Sequence, residues 1–186
     1  MTEIPYPRSY WVNDSLLAGV YPGSSNPLDA EMKIKGILDL GITQFVSLME
    51  PEEFNHQKVP FTSYQPVATK LSAKPLLFQR FSIRDGGVPT IELGQKIVAH
   101  LRHEIERGEK IYLHCWGGRG RTGTAVCLYL MVTEGLSAKA AQQKLASLIK
   151  PRAILFEPTP ETPAQFKFLD EFEKYLDLHS KISILC

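Results

Sequence analysis

Lys110 to Glu134 constrains the fold more than any other stretch of the chain. KIYLH reads as a short buried strand, CWGGRGRTG as a glycine-rich loop, and Thr124 to Glu134 as an apolar helix. A strand that passes through glycines directly into a helix is the building unit of layered α/β proteins. Their central, mainly parallel sheet is flanked by helices on both faces. Ligands of such sheets settle at the carboxyl ends of the strands, and Cys115 stands at one such end.

The remainder of the chain fits the same architecture. SLLAGVYP, Ser15 to Pro22, predicts a first strand ending in a turn, and Pro27 opens an amphipathic stretch through Leu40 that Gly41 stops. Ile42 to Met49 is β-rich and ends in the polar run Glu50, Pro51, Glu52, Glu53, while Phe54 to Lys74 shows no clear period. Leu76 to Ile83 reads as a strand and Asp85, Gly86, Gly87 and Pro89 as a loop. A helix follows from Ile91 to Arg107, with Leu93, Ile97, Leu101 and Ile105 on one face, and Gly108 closes it. After Gly135 and Ser137 come a helix through about Ile149 and a last one from about Thr162 to His179, with Phe166, Leu169, Phe172 and Leu176 aligned. No repeat or low-complexity segment interrupts this order. The 186 residues suit one domain, residues 1–186.

Composition narrows the function classes. A hydrophobic fraction of 44% and a charged fraction of 22% are those of a soluble globular protein, and the apolar runs are too short for a membrane span. MTEIPYPRSYW lacks the basic and apolar regions of a secretory signal, so a cytoplasmic protein is expected. The net charge of +1 gives no general footprint for nucleic acid or an anionic membrane, and any anion recognition must be local. Cys115, Cys127 and Cys186 are odd in number and widely spaced, which points to reduced thiols. Cys127 falls in the apolar helix as a small core residue and Cys186 at a frayed end. His56, His100, His103 and His179 lack metal-ligand spacing, and neither a metal nor a cofactor is expected.

Between Cys115 and Arg121 lie Trp116, Gly117, Gly118, Arg119 and Gly120. Glycines let successive backbone N–H groups turn inward, and such a nest before a helix N-terminus binds a phosphate dianion. The same donors and helix dipole lower a thiol pKa from its free value of about 8.5, so that Cys115 becomes a thiolate nucleophile. Arg121 can grip two phosphate oxygens with its planar fork. Thr122 can offer its hydroxyl to the departing sulfur, and His114 can orient the loop through backbone contacts. Asp85, 30 residues before Cys115 on a glycine-rich loop, is the candidate general acid for the leaving oxygen, or else a turn-forming aspartate. Trp116 reads equally as a stacking platform at the pocket mouth or as a packed loop residue.

At these residues a resemblance is visible. HCWGGRGRT resembles the Cys-X5-Arg signature of the protein tyrosine phosphatase superfamily, and IRDGGVP is similar to the general-acid loop of its dual-specificity branch. Within that branch the likeness to the phosphatases that act on cyclin-dependent kinases is strongest, and it runs from about Phe81 to Tyr175. It implies a phosphotyrosine-phosphatase-like fold and phosphomonoester hydrolysis through a phosphocysteine intermediate without cofactor. PETPAQF resembles the glutamine loop that positions hydrolytic water in tyrosine phosphatases; Gln165 matches its second glutamine, whereas Glu161 stands at the first. The tyrosine-containing loop that deepens the pocket in strict phosphotyrosine enzymes has no clear match. Arg119 occupies a place where relatives acting on phosphoinositides or inositol phosphates also carry a basic residue.

The expected substrate is therefore a phosphorylated protein or another phosphomonoester. The alternatives are a non-protein phosphate such as an inositol phosphate, phosphoinositide or RNA 5′-phosphate, and a catalytically silent phosphate-binding module. Sulfur transfer of rhodanese type also uses a cradled thiol, but the arginine spacing and the aspartate loop favour phosphate.

Overall fold

The computed structural model describes residues 8–149 and 158–184, with side chains through residue 179. The readings of an N-terminus without a leader and of a frayed Cys186 fall in part or wholly outside the described residues. Five strands form one sheet: β1 (Ser9–Asn13), β2 (Leu16–Gly19), β3 (Gln44–Ser47), β4 (Leu77–Arg80) and β5 (Ile111–His114). Their spatial order is β1-β2-β5-β3-β4, with β2, β5, β3 and β4 parallel and β1 antiparallel at one edge. The expected mainly parallel sheet is present. One expectation is corrected: SLLAGVYP holds the second strand, because SYWVN pairs ahead of it as a tight hairpin. Asn13 makes that turn, its Oδ1 accepting from Ser15 N at 2.9 Å and Leu16 N at 2.8 Å.

The two faces of the sheet follow from residue alternation. In β5, Ile111 and Leu113 face one core with Leu16, Ala18 and Val46, while Tyr112 faces the other with Leu17 and Phe45. Helices α1 (Pro27–Asp39) and α2 (Gln65–Leu71) cover the Tyr112 side with Ile34, Ile37 and Ala68. Helices α3 (Ile91–Glu106), α4 (Gly120–Glu134), α5 (Ala138–Ile149) and α6 (Pro163–Ile184) cover the other. Helix α4 is buried at every residue from Gly120 to Met131 because it lies among α3, α5 and α6, which explains why it is apolar all round. It starts at Gly120, a turn earlier than the apolar run suggests, so Arg121 and Thr122 belong to its first turn. Helix α1 begins where Asn26 Oδ1 accepts from Leu28 N and Asp29 N, with Pro27 at the first helical position.

The parallel strands all end on one side, and the loops that leave them, residues 20–26, 48–64, 81–90 and 115–119, meet there. Among the described residues no helix is long and apolar enough to cross a membrane.

Candidate active site

Cys115 follows β5, the middle strand of the five, which has a parallel neighbour on each side, and is 2% exposed. The loop after it is pinned at several points. Tyr21 N donates to Trp116 O at 2.9 Å and Leu48 N to His114 O at 2.8 Å. Gly118 has φ +71°, and a Cβ there would stand 2.6 Å from the Gly19 carbonyl carbon and 2.8 Å from Val20 N, so no other residue fits. Gly117 faces open space. The loop therefore lies directly on the end of β2 and enters α4 at Gly120, the arrangement that presents backbone donors and a positive helix end to an anion.

His114 is fully buried and holds the loop from below. Its Nδ1 donates to Cys115 O at 3.2 Å, which leaves Nε2 to accept from the Tyr64 hydroxyl at 2.8 Å. Burial is the main cause that lowers the His114 pKa to about 3, so the ring is a neutral bracket and not a base near neutrality. Tyr21, Tyr64 and Tyr112 surround it with ring centroids 5.3 to 5.9 Å away. Desolvation raises the Tyr64 hydroxyl well above its ordinary pKa, which keeps it a proton donor to His114.

Arg121 joins the site to two carboxylates. Its Nη1 donates to Glu53 Oε1 and, at 2.9 Å, to Ile83 O; its Nη2 donates to Glu53 Oε2 at 3.0 Å and to Asp85 Oδ1 at 2.8 Å. The Arg121 side chain is 1% exposed, the Glu53 side chain 9% and that of Asp85 59%. Burial opposes the arginine charge, but the Glu53 hydrogen bonds and the charges of Cys115, Glu53 and Asp85 outweigh it and raise the pKa. Asp85 thus stands at the solvent side of the arginine fork, with Glu53 behind it.

The other sequence candidates are placed as follows. Trp116 is half-buried, with the ring of His56 4.3 Å away and that of Phe61 5.4 Å, and it also lines a cavity of about 400 Å³ with Tyr21, Asn55 and Phe61. Arg119 turns toward Glu161 Oε1 at 3.7 Å and Pro158 O at 3.5 Å. Thr122 Oγ1 is buried and has no hydrogen-bond partner among the described residues, Cys115 Sγ included. Gln165 is wholly buried, its Oε1 accepting from Glu161 N at 2.9 Å and Thr162 N at 3.1 Å and its Nε2 donating to Gly87 O at 3.1 Å. Cys127 is a buried thiol that desolvation pushes up to about 12, consistent with a core residue. Among the described residues, no three His, Cys, Asp or Glu side chains converge as a metal-binding group.

Two residues at the site were not anticipated, Glu53 and Tyr64. Both lie in the segment 53–64, whose tip is a small hairpin closed by an Asn55 N to Val59 O bond of 2.9 Å and by Lys58 at φ +57°. The only sequence signal for Glu53 is an acidic cluster just after a strand that ends beside Cys115.

The chain is similar in sequence to known phosphatases and in fold to solved ones. The putative tyrosine phosphatase 067L of Invertebrate iridescent virus 3 is 29% identical over 180 residues, which cover 88% of this chain and 64% of the relative. Cyclin-dependent kinase inhibitor 3 of Mus musculus is 32% identical over 94 residues, half of this chain and 42% of that protein. The chain thus spans less than two thirds of the length of these curated relatives. The crystal structure of kinase associated phosphatase, with serine in place of its catalytic cysteine, superposes with a TM-score of 0.72 at 20% identity. It covers 91% of this chain and 95% of that one, a likeness of fold. Residues 7–157 match the domain family described as PTP-SAK, the Swiss Army Knife protein DSP-PTPase phosphatase domain, and the chain belongs to that family.

Proposed function

We propose that the chain is a dual-specificity phosphatase that hydrolyses phosphomonoesters on protein side chains through a phosphocysteine intermediate. The observation that carries this reading is that Asp85, from the loop after β4, reaches the arginine of the loop that begins at Cys115: its Oδ1 accepts from Arg121 Nη2 at 2.8 Å. A phosphate reaches the Arg121 fork by taking the place of the exposed Asp85 carboxylate on Nη2, and the displaced Asp85 then stands beside the leaving oxygen on the side away from the sulfur, the in-line order that phosphoryl transfer requires.

The Cys115 thiolate attacks phosphorus while the ester P–O bond breaks, and the Asp85 carboxyl gives its proton to the leaving oxygen. Backbone N–H groups of residues 116–120 and Arg121 carry the equatorial charge. In the second step water attacks phosphorus, Asp85 takes the water proton, the S–P bond breaks and the thiolate is restored. His114 supports this by holding Cys115 O, and Glu53 by holding the arginine fork. The domain is read as residues 1–186 and its workplace as the cytoplasm.

Protein substrates are favoured over inositol phosphates because the guanidinium of Arg119 is drawn toward Glu161 and Pro158. The test is hydrolysis of an aryl phosphate with a chelator present. Wild type should be active, Cys115→Ser inactive, and Asp85→Asn should lose about 100-fold or more in kcat/KM together with the alkaline limb of its pH profile. A phosphoryl adduct on Cys115 should be trapped in intact-mass spectra of Asp85→Asn. An inert wild type that still binds vanadate would instead support the silent binding module, and preference for inositol phosphates over phosphopeptides would overturn the substrate class.

A further inference from the structure

The segment from Pro158 to Gln165 touches both halves of the catalytic apparatus. On one side, Thr162 Oγ1 donates to Gly86 O at 3.2 Å and Gln165 Nε2 donates to Gly87 O at 3.1 Å. These are the two residues after Asp85. On the other side, Arg119 reaches Glu161 and Pro158 O from the phosphate loop. The fit against α4 leaves no space: a Cβ on Gly120 would stand 2.9 Å from both Gln165 Nε2 and Glu161 Oε2, and one on Gly123 would stand 2.6 Å from Thr159 Cγ2.

The Gln165 amide is accounted for almost completely. Both acceptor sites of Oε1 are taken by backbone N–H groups, of Glu161 and Thr162, and one N–H of Nε2 is taken by Gly87 O. Activating a water requires an acceptor for its proton, and this amide has none to offer. Asp85, by contrast, has a mostly exposed side chain; before it the loop is tied at Ile83, whose N donates to Leu48 O at 3.1 Å and whose O accepts from Arg121, but after it only the Arg84 to Gly87 turn and the Pro158 to Gln165 segment hold Gly86 and Gly87.

We infer that residues 158–165 form a bracket that fixes the Asp85 loop to the phosphate loop, with Gln165 as the positioning residue for the general acid. The inference rests on the reaction proposed above. It separates Gln165 from the second, hydrolytic step and assigns it to the first, through Asp85.

The test exploits leaving-group chemistry. A general acid matters for phenyl phosphate, whose phenoxide leaves poorly, and little for an aryl phosphate with a strongly acidic phenol. Gln165→Ala should lower kcat/KM for phenyl phosphate about 10-fold or more while changing the activated ester less than about 3-fold. In an Asp85→Asn background the same substitution should cost little more, since the group it positions is gone. Gln165→Glu keeps the acceptor for Glu161 N and Thr162 N but loses the donor to Gly87 O, so it should share the defect even if the alanine variant folds poorly. Equal losses for both esters would mean a merely structural role. An unchanged kcat/KM with lowered kcat and a burst of phenol would mean that Gln165 serves water attack; either result overturns the inference. Hydrogen exchange of amides 84–88 is independent of turnover. It should quicken in Gln165→Glu, and unaltered protection there would overturn the bracket even in a protein that hydrolysed nothing.

Discussion

Arg121 is a charge held where water barely reaches, and it is tolerable only because two carboxylates and a carbonyl meet its donors. The partners are unequal. Glu53 is itself buried, so Glu53→Gln strips the charge from an interaction in a poorly screened place and should lower stability by about 2 kcal/mol. Asp85 is largely exposed, and Asp85→Asn should cost under about 1 kcal/mol. Urea unfolding of the two variants at neutral pH separates these values. His114 supplies a pH signature. Its folded pKa is near 3 against an ordinary 6.5, so below pH 6.5 the unfolded chain binds a proton that the folded chain refuses. Stability from this group is therefore complete above pH 6.5 and falls as pH drops toward 3. Between pH 7 and pH 5 the loss should be about 2 kcal/mol, and His114→Gln, measured by urea unfolding at both pH values, should flatten that part of the profile.

At the scale of elements, the phosphate loop depends on how closely it lies on the end of β2. Gly118→Ala forces a methyl group into the Gly19 backbone and strains a left-handed residue, so it should cost about 3 kcal/mol or more and abolish turnover. Gly117→Ala meets nothing within 4 Å and should cost less than about 1 kcal/mol. Thermal unfolding of both variants beside wild type checks the contrast. The strands and helices that carry strong periodicity were legible: β3, β4 and β5, and helices α1, α3, α5 and α6, stand close to where their patterns put them. Strand β1 was not, because its five residues carry no turn glycine and the core that buries Tyr10 and Val12 is assembled from distant segments; Asn13 makes the turn with its side chain. The start of α4 was displaced for a related reason, since Gly120 and Gly123 read as loop until the phosphate loop places them in the first helical turn.

For the whole molecule, the order strand, loop, helix fixed what could be known in advance, and long-range contact decided the rest. Cys115, Arg121 and Asp85 were recognisable because their chemistry is written locally, in spacing and glycines. Glu53 and Tyr64 were not, because a glutamate in a polar loop and a tyrosine in a segment without period look solvated until a neighbouring strand brings Arg121 and His114 to them. The same holds for Trp116 and Arg119, whose surroundings come from residues 56–61 and 158–161. The central position of β5 has one more consequence. The sulfur is anchored to the most constrained part of the sheet, whereas Glu53, Asp85 and Gln165 arrive from other segments of the chain. Lengthening or shortening the loop tip at residues 54–60 alters which molecules reach the cleft without displacing the nucleophile. A lineage could therefore retarget this scaffold by surface insertion and deletion alone, leaving its reaction intact.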